Sequence, residues 1–489
     1  MIYARRTDRQ LRSRLDSHEV ERAGPAPRRA RAVMAAGFIA AAAVAWPRSA
    51  DAYDNPDLMG GVHKAAEGGE AGDAAARAAR AAGNAETGGV ARFALIVGAN
   101  RGVDPELRQL HYADDDAARY SELFGALGVR VHLLTRPDQN TLRVSAGALS
   151  NARPPVRAEL ARAVAELARE VATAHKLGRR VVFYFVYAGH GNVKDNIAYL
   201  TLEDQRLDTA LIEHQIIDRV HANETHLIVD ACYSYSLAYG RGPTNSIRHA
   251  IGPFTPPEGL ARRPDVGLLL STTSTHESHE WSDFQAGIFS HEVRSGLSGA
   301  ADVNGDGQVS YQEIASFVRR ANAAVPNERY RPRVYAHAPR QASQLVDLRQ
   351  ASGRRLKIEA TPDGAHFLLE NLFGVRLADF HAPPGQALSL VVPVGGPPLF
   401  LRRVDDGRQL AIPADAEVVS MGALAQRGPS QEAPDTDPTQ YAFNRIFSLP
   451  FDKHALVSYS ERSRGGEPPA ARRSWRHRAA LSIHRARKN

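Results

Sequence analysis

Two residues of this 489-residue chain have the types and placement for nucleophilic chemistry: Cys232, its one cysteine, and His190, one of 19 histidines. A thiol is only a few per cent ionised at neutral pH; a neighbouring imidazole takes its proton and later returns one to a leaving amine. Cys232 stands in Asp230-Ala231-Cys232-Tyr233-Ser234, directly after the apolar run Leu227–Val229. His190 stands in Tyr187-Ala188-Gly189-His190-Gly191, directly after the apolar run Val181–Tyr187. Each therefore follows a predicted buried strand, and in an open parallel sheet reactive groups gather beyond the carboxyl ends of the strands. The separation of 42 residues suits one strand–helix excursion that returns both side chains to one cleft edge. The glycines flanking His190 admit a substrate backbone, and the N–H groups of Gly191 and Cys232 are the expected oxyanion donors. A lone cysteine makes no internal disulfide, so the thiol is either packed core or a reactive group. No side chain is nominated as a third, orienting member.

A second constellation lies downstream. Asp302-Val303-Asn304-Gly305-Asp306-Gly307-Gln308-Val309-Ser310-Tyr311-Gln312-Glu313 fits a 12-residue EF-hand loop at every informative position. Asp302, Asn304, Asp306, the Gln308 carbonyl, Ser310 and a bidentate Glu313 would supply oxygens to Ca2+, and Gly307 the sharp turn. No second such loop is present to pair with it.

The elements that must position these groups follow from apolar periodicity. Strands are expected at Phe93–Val97, Val129–Leu134, Val181–Tyr187, Leu227–Val229 and Val266–Leu270. Helices are expected over 113–127, 154–177, 210–220, 289–297 and 311–324. Alternation of this kind over 91–345 means an α/β domain, a mainly parallel sheet with helices on both faces. Over 350–425 the pattern changes to short alternating runs between Pro/Gly turns, which predicts a small all-β accessory domain. Residues 53–90 read as a flexible linker, and 426–489 as a largely disordered basic tail with one apolar patch near Tyr441–Leu449.

The net charge of +7 belongs to the two ends. Residues 1–52 carry a net +5 and 461–489 a net +7, so the body is acidic and offers no basic face to track phosphates. The apolar run Val33–Trp46 is too short to span a bilayer, but it fits a signal-peptide core, with Ala50-Asp51-Ala52 as the cleavage site. Export to the periplasm or medium is expected, with no stable transmembrane span after removal of residues 1–52.

In order, Phe93-Ala94-Leu95-Ile96-Val97-Gly98, Leu110-His111-Tyr112-Ala113-Asp114-Asp115-Asp116-Ala117, Tyr187-Ala188-Gly189-His190-Gly191 and Asp230-Ala231-Cys232-Tyr233-Ser234 resemble the motifs of bacterial caspase-like peptidases. These form the metacaspase and orthocaspase branch of the caspase superfamily. The resemblance implies the caspase–haemoglobinase fold, with His190 as base and Cys232 as nucleophile of a cysteine endopeptidase. It also implies a substrate pocket built from Asp116 and Asp230, and hence cleavage after Arg or Lys, since carboxylates facing a guanidinium make charge-assisted bonds. Asp114 and Asp115 are equally well read as helix-terminal acids. Asp204 matches a further acid of the family and is read as loop-shaping. The chain departs from the family at Tyr233-Ser234-Tyr235, where His or Arg followed by Ser-Gly is usual. Self-cleavage is expected in the Arg-containing stretch 235–264, at Arg241 or Arg248. Two other readings stand beside this one: a catalytically silent caspase-fold binding or scaffold protein, and a legumain- or gingipain-like cysteine hydrolase. Nothing in the sequence names a ligand for the β-rich region.

Overall fold

The computed structural model describes residues 89–195, 197–239, 259–271, 280–327, 331–420, 422 and 443–456. All described residues belong to one compact unit, within Ala71–Asn489. The leader, most of the linker, Arg241, Arg248 and the tail beyond 456 lie outside the described residues.

The apolar runs form a six-stranded sheet. Its strands are β1 (Val90–Ala99), β2 (Arg130–Thr135), β3 (Arg180–Gly189), β4 (Glu224–Asp230), β5 (Val266–Ser271) and an edge strand, Val334–His337. Their order is edge strand, β5, β4, β3, β1, β2, all parallel except the antiparallel edge. Successive side chains of a strand point to opposite faces, and two apolar clusters divide accordingly. Leu95, Val97, Phe183, Phe185, Tyr187, Leu227 and Val229 pack under helix Arg157–Lys176 through Leu160, Val164, Leu167 and Val171. Ala94, Ile96, Val182, Tyr184, Val186 and Ile228 face the other way, beneath α1 (Ala113–Ala126), α2 (Ile288–Ser295) and α3 (Tyr311–Ala321). Asp204 accepts the backbone N–H of Arg157 at 2.8 Å, at the start of a helix whose own N-cap, Val156, offers no side-chain cap. That is the loop-shaping role expected of it.

The β-rich region forms two further sheets. One holds three strands, Leu388–Val392, Arg354–Ile358 and Val418–Val419. The other holds four: Arg376–Ala382, Ala365–Asn371, Leu399–Arg403 and Gln409–Ile412. Expected as a separate domain, this region shares the second apolar cluster with the α/β part: Phe367, Leu369, Phe380, Leu390 and Leu401 belong to the same buried group as Phe124, Phe289 and Phe317. The apolar patch near Tyr441–Leu449, set apart in the sequence from a tail read as disordered, also packs here, and the described chain continues to residue 456. Phe443, Ile446, Phe447 and Phe451 are buried, the Phe447 N–H donates to the Ala321 carbonyl at 3.0 Å, and the Arg320 side chain donates to the Pro450 carbonyl at 2.8 Å.

Because one core runs through both parts, residues 89–456 are expected to unfold in a single thermal transition. Phe367→Ala removes a fully buried ring and should cost about 3–5 kcal/mol of that one transition. Two separate calorimetric peaks, with only one moved by the substitution, would contradict this.

Candidate active site

The parallel register of β3 and β4 sets Ala188 beside Asp230. Both strands stop within two residues, so the chain delivers His190 and Cys232 to adjacent strand ends. Gly191 makes the closeness concrete. A Cβ at that position would lie 2.0 Å from the carbonyl oxygen of Cys232 and 3.2 Å from the Ala231 side chain, so only glycine lets the two backbones meet. The Tyr187 hydroxyl lies 2.9 Å from the His190 carbonyl oxygen and 2.7 Å from that of Thr201, which holds the turn after β3 in place.

His190 has a backbone partner. Nε2 of His190 lies 2.6 Å from the carbonyl oxygen of Arg108. A carbonyl only accepts, so Nε2 carries the hydrogen, and in the neutral ring Nδ1 is left with its lone pair. Burial lowers the imidazole's pKa below its usual value, against the pull of that bond. A neutral ring with a free Nδ1 is the form a general base needs. Sequence reasoning had no means of finding Arg108, because a backbone carbonyl has no residue type to recognise.

Cys232 is 5% exposed. The next residue, Tyr233, has φ +57°, a left-handed conformation that is costly for a bulky side chain. Ser234 then donates its hydroxyl to the Ser271 carbonyl, and a short helix begins at Tyr235. Tyr235 was singled out in the sequence as standing where glycine is usual, but its φ is not positive. Its ring packs edge-on against Tyr335 with centroids 5.2 Å apart. The backbone demand for glycine-like freedom falls on Tyr233 instead.

The acids at the head of α1 separate by role. Asp114 accepts from the side chains of Asn100 (2.7 Å) and Thr141 (2.8 Å) and from the N–H of Asp138, fastening the loop before helix Gln139–Val144. Asp115 pairs with Arg119 at 3.1 Å. Asp116 turns towards Asp230, and both reach Gly287: a Cβ there would lie 2.7 Å from Asp230 Oδ2 and 3.1 Å from Asp116 Oδ2. Asp116 Oδ2 accepts the Gly287 N–H at 2.8 Å and Oδ1 accepts from Arg294 at 3.0 Å. Asp230 Oδ2 accepts both the N–H (3.0 Å) and the hydroxyl (2.7 Å) of Ser290. Burial raises both carboxyls, Asp230 to about 6, while Arg294 pulls Asp116 the other way. Ser290 and Arg294 come from one face of α2, four residues apart. Its next face carries His291 and Ser295 to Asp379 of the β-rich region: His291 Nε2 lies 2.8 Å from Asp379 Oδ2, and the Asp379 N–H donates to Ser295 Oγ at 3.0 Å. None of Gly287, Ser290 and Arg294 belonged to a motif in the sequence.

The acidic loop has the conformation its sequence implies. Gly305 and Gly307 both take positive φ. Asp302, Asn304 and Asp306 accept backbone N–H groups of residues 306, 307 and 308 at 2.8–3.1 Å. Ser310 and Glu313 form a capping box at the start of α3, through Glu313 Oε2. Glu313 Oε1 is buried with no hydrogen-bond partner. The strand Gln308–Ser310 pairs antiparallel with Gln344–Asp347, Val309 beside Val346, so the partner usually supplied by a second loop is a strand of the same domain. Among the described residues no three His, Cys, Asp or Glu side chains already converge as a metal cage. The loop's oxygens are of mixed kind, carbonyl, amide and hydroxyl beside three carboxylates.

A model of the caspase domain matches residues 91–347, just over half of the chain. The chain belongs to the caspase-domain family. That family is one of cysteine peptidases, whose substrates are proteins, and among the described residues no helix is long and apolar enough to cross a membrane. Among solved structures the caspase domain is similar to the Drosophila initiator caspase Dronc, at 11% identity and a TM-score of 0.32, over 54% of this chain and 84% of that one. Caspase-1 from Spodoptera frugiperda gives 13% and 0.31 over 52% and 87%, and a structure of pro-sf-caspase-1 gives 12% and 0.32 over 52% and 88%. No curated protein matches.

Gly191→Ala forces the caspase domain to part the two strand ends and should destabilise it by about 1–3 kcal/mol through overpacking. Thermal unfolding of the variant measures this; an unchanged Tm would contradict the close approach at Cys232.

Proposed function

We propose that this chain is a cysteine endopeptidase of the metacaspase–orthocaspase branch that cleaves after Arg or Lys. The observation that supports it most is the His190 ring: half-buried, bonded through Nε2 to the Arg108 carbonyl, and set on a strand end that touches Cys232. In the proposed reaction Nδ1 of His190 takes the Cys232 proton. The thiolate attacks the scissile carbonyl carbon, and the N–H groups of Gly191 and Cys232 hold the oxyanion. The C–N bond breaks, His190 protonates the departing amine, and water hydrolyses the thioester. Asp116 and Asp230 form an acidic pocket for the basic side chain. Self-cleavage is assigned to Arg241 or Arg248. Arg262 and Arg263 are poorer sites, because Arg262 pairs with Glu213 at 2.7 Å and Arg263 pairs with Asp218 and Asp265.

The loop 302–313 is proposed to bind Ca2+ through Asp302, Asn304, Asp306, the Gln308 carbonyl, Ser310 and Glu313. The ion's two positive charges would offset most of the charge of the loop's three carboxylates. The orphaned, buried Oε1 of Glu313 supports this, since the capping box employs only Oε2. Export with loss of residues 1–52 is proposed from the sequence, and N-terminal sequencing of the secreted protein tests it.

A second reading has its own support. The burial of Cys232 and the left-handed Tyr233 favour a caspase-fold binding protein whose dyad is slow or silent. One assay separates the two. Peptides ending in Arg, Lys or Asp before a reporter amine should be cut after Arg and Lys, and Cys232→Ala or His190→Ala should lower kcat/KM by at least about 1000-fold. No turnover of any peptide would sink the endopeptidase reading; turnover of the Asp peptide alone would sink the preference for Arg and Lys.

The acid limb has a definite direction. Asp230, raised to about 6, must lose its proton to bind a cation, and His190, lowered below its usual value, must be neutral to act as base. For a basic peptide kcat/KM is therefore expected to climb as pH rises from about 5, and to go on climbing towards about 8, where the Asp116 carboxyl loses the proton that burial holds on it. Calorimetric titration should find Ca2+ binding in the wild type, weakened by Glu313→Gln, which keeps the capping box, and absent in Glu313→Ala. Unchanged binding in Glu313→Ala would remove the calcium site.

A further inference from the structure

The two pocket carboxylates do not stand equally ready for a substrate. Asp116 is 2% exposed, and each of its oxygens already has an internal donor: the Gly287 N–H on Oδ2 and Arg294 on Oδ1. Asp230 is half-buried, and both Ser290 donors share its Oδ2. Among the described residues nothing donates to Asp230 Oδ1. Arg294 cannot easily step aside. It is 2% exposed, its guanidinium lies 5.6 Å from the centroid of the Tyr120 ring, and its helix is fixed from the other face by His291 and Ser295 on Asp379. Withdrawing it would leave a buried carboxylate and a buried guanidinium both uncompensated.

We infer that Arg294 is the pocket's built-in counter-ion and sets its specificity. By occupying Asp116 it leaves Oδ1 of Asp230 as the carboxylate oxygen offered to an incoming cation. This rests on the reading of the pocket as one for basic side chains. The consequence separates Arg from Lys. A guanidinium gains over an ammonium when its fork meets two oxygens at once, whereas a single oxygen meets either cation as a point charge. The pocket therefore accepts Lys as readily as Arg. Asp116 and Arg294 are positioning residues; Asp230 is the one that touches substrate.

The test uses the full chain and two peptides that differ only in Arg or Lys before the cut. In the wild type the two kcat/KM values should agree within about threefold. Arg294→Gln vacates Asp116, and the Arg peptide should then gain about tenfold over Lys, in KM rather than kcat. Arg294→Lys keeps the ion pair and should restore the wild-type ratio, an outcome that a merely structural role for Arg294 would not give. Asp230→Asn should lower both peptides by about 100-fold, and Asp116→Asn should lower both by one common factor. Should Arg294→Gln fail to fold, the wild-type ratio and the two Asp variants decide the matter. Dissociation constants of the same peptides on Cys232→Ala give the ratio independently of turnover. A wild-type preference for Arg above about tenfold, an unmoved ratio in folded Arg294→Gln, or a selective loss of the Arg peptide in Asp116→Asn would overturn the inference and leave the proposed function standing. Failure to cut either basic peptide would overturn both.

Discussion

Three carboxylates drawn out of water have to be given partners, and one eight-residue helix supplies partners to all of them. An isolated buried charge is costly enough that the fold must provide donors or lose the ionised form. Ile288–Ser295 answers through its periodicity: Ser290 and Arg294 point to Asp230 and Asp116, while His291 and Ser295 point to Asp379. Burial pushes Asp379 up, but Arg376 and the two histidines that bond it outweigh this and hold it well below the usual carboxylate range. Burial also keeps His291 neutral, with its pKa lowered to about 4. The Asp116–Asp230 pair and the β-rich region thus meet two sides of one short helix, and neither can shift without disturbing the charges on the other.

The thiol end is governed by backbone rather than by charge. A parallel sheet fixes where two strands stop, and the details are then set by a carbonyl on Nε2 of His190, a missing side chain at Gly191 and a left-handed tyrosine after Cys232. The acidic loop reaches the same strand from behind. Tyr311, the first residue of the helix that the capping box starts, sets its hydroxyl 2.8 Å from His226 Nδ1, and His226 lies on the strand that ends at Asp230.

Much of this was legible in the residues. Apolar runs such as Phe93–Val97 and Val181–Tyr187 reveal central strands because both faces are buried, and the two clusters divide their side chains alternately, as the pleat requires. The edge strand Val334–His337 and the strand Arg376–Ala382 escaped notice for opposite reasons. The first is short and half-exposed. The second carries Asp379 and His381, which read as loop residues until their buried partners are in view. The acidic loop was legible because its spacing is set by coordination geometry, but its pairing strand was not, since Gln344–Asp347 has no signature of its own. Arg294 could not have been chosen from the chain's many arginines. What distinguishes it is an environment made by α1, α2 and the loop at Gly287 together.

The shared core bears on what a substitution in the β-rich region can disturb. The family match ends at residue 347, yet the apolar side chains beyond it interdigitate with those before it, and residues 443–456 return across Phe317 and His381. A cassette that had been shuffled in whole would leave a polar seam with few contacts across it. The seam here is instead buried and apolar. Substitutions in the strands Ala365–Asn371 and Arg376–Ala382 and in the helix Ile288–Ser295 are therefore felt on both sides of the seam, because these elements share one core and the Asp379 contacts.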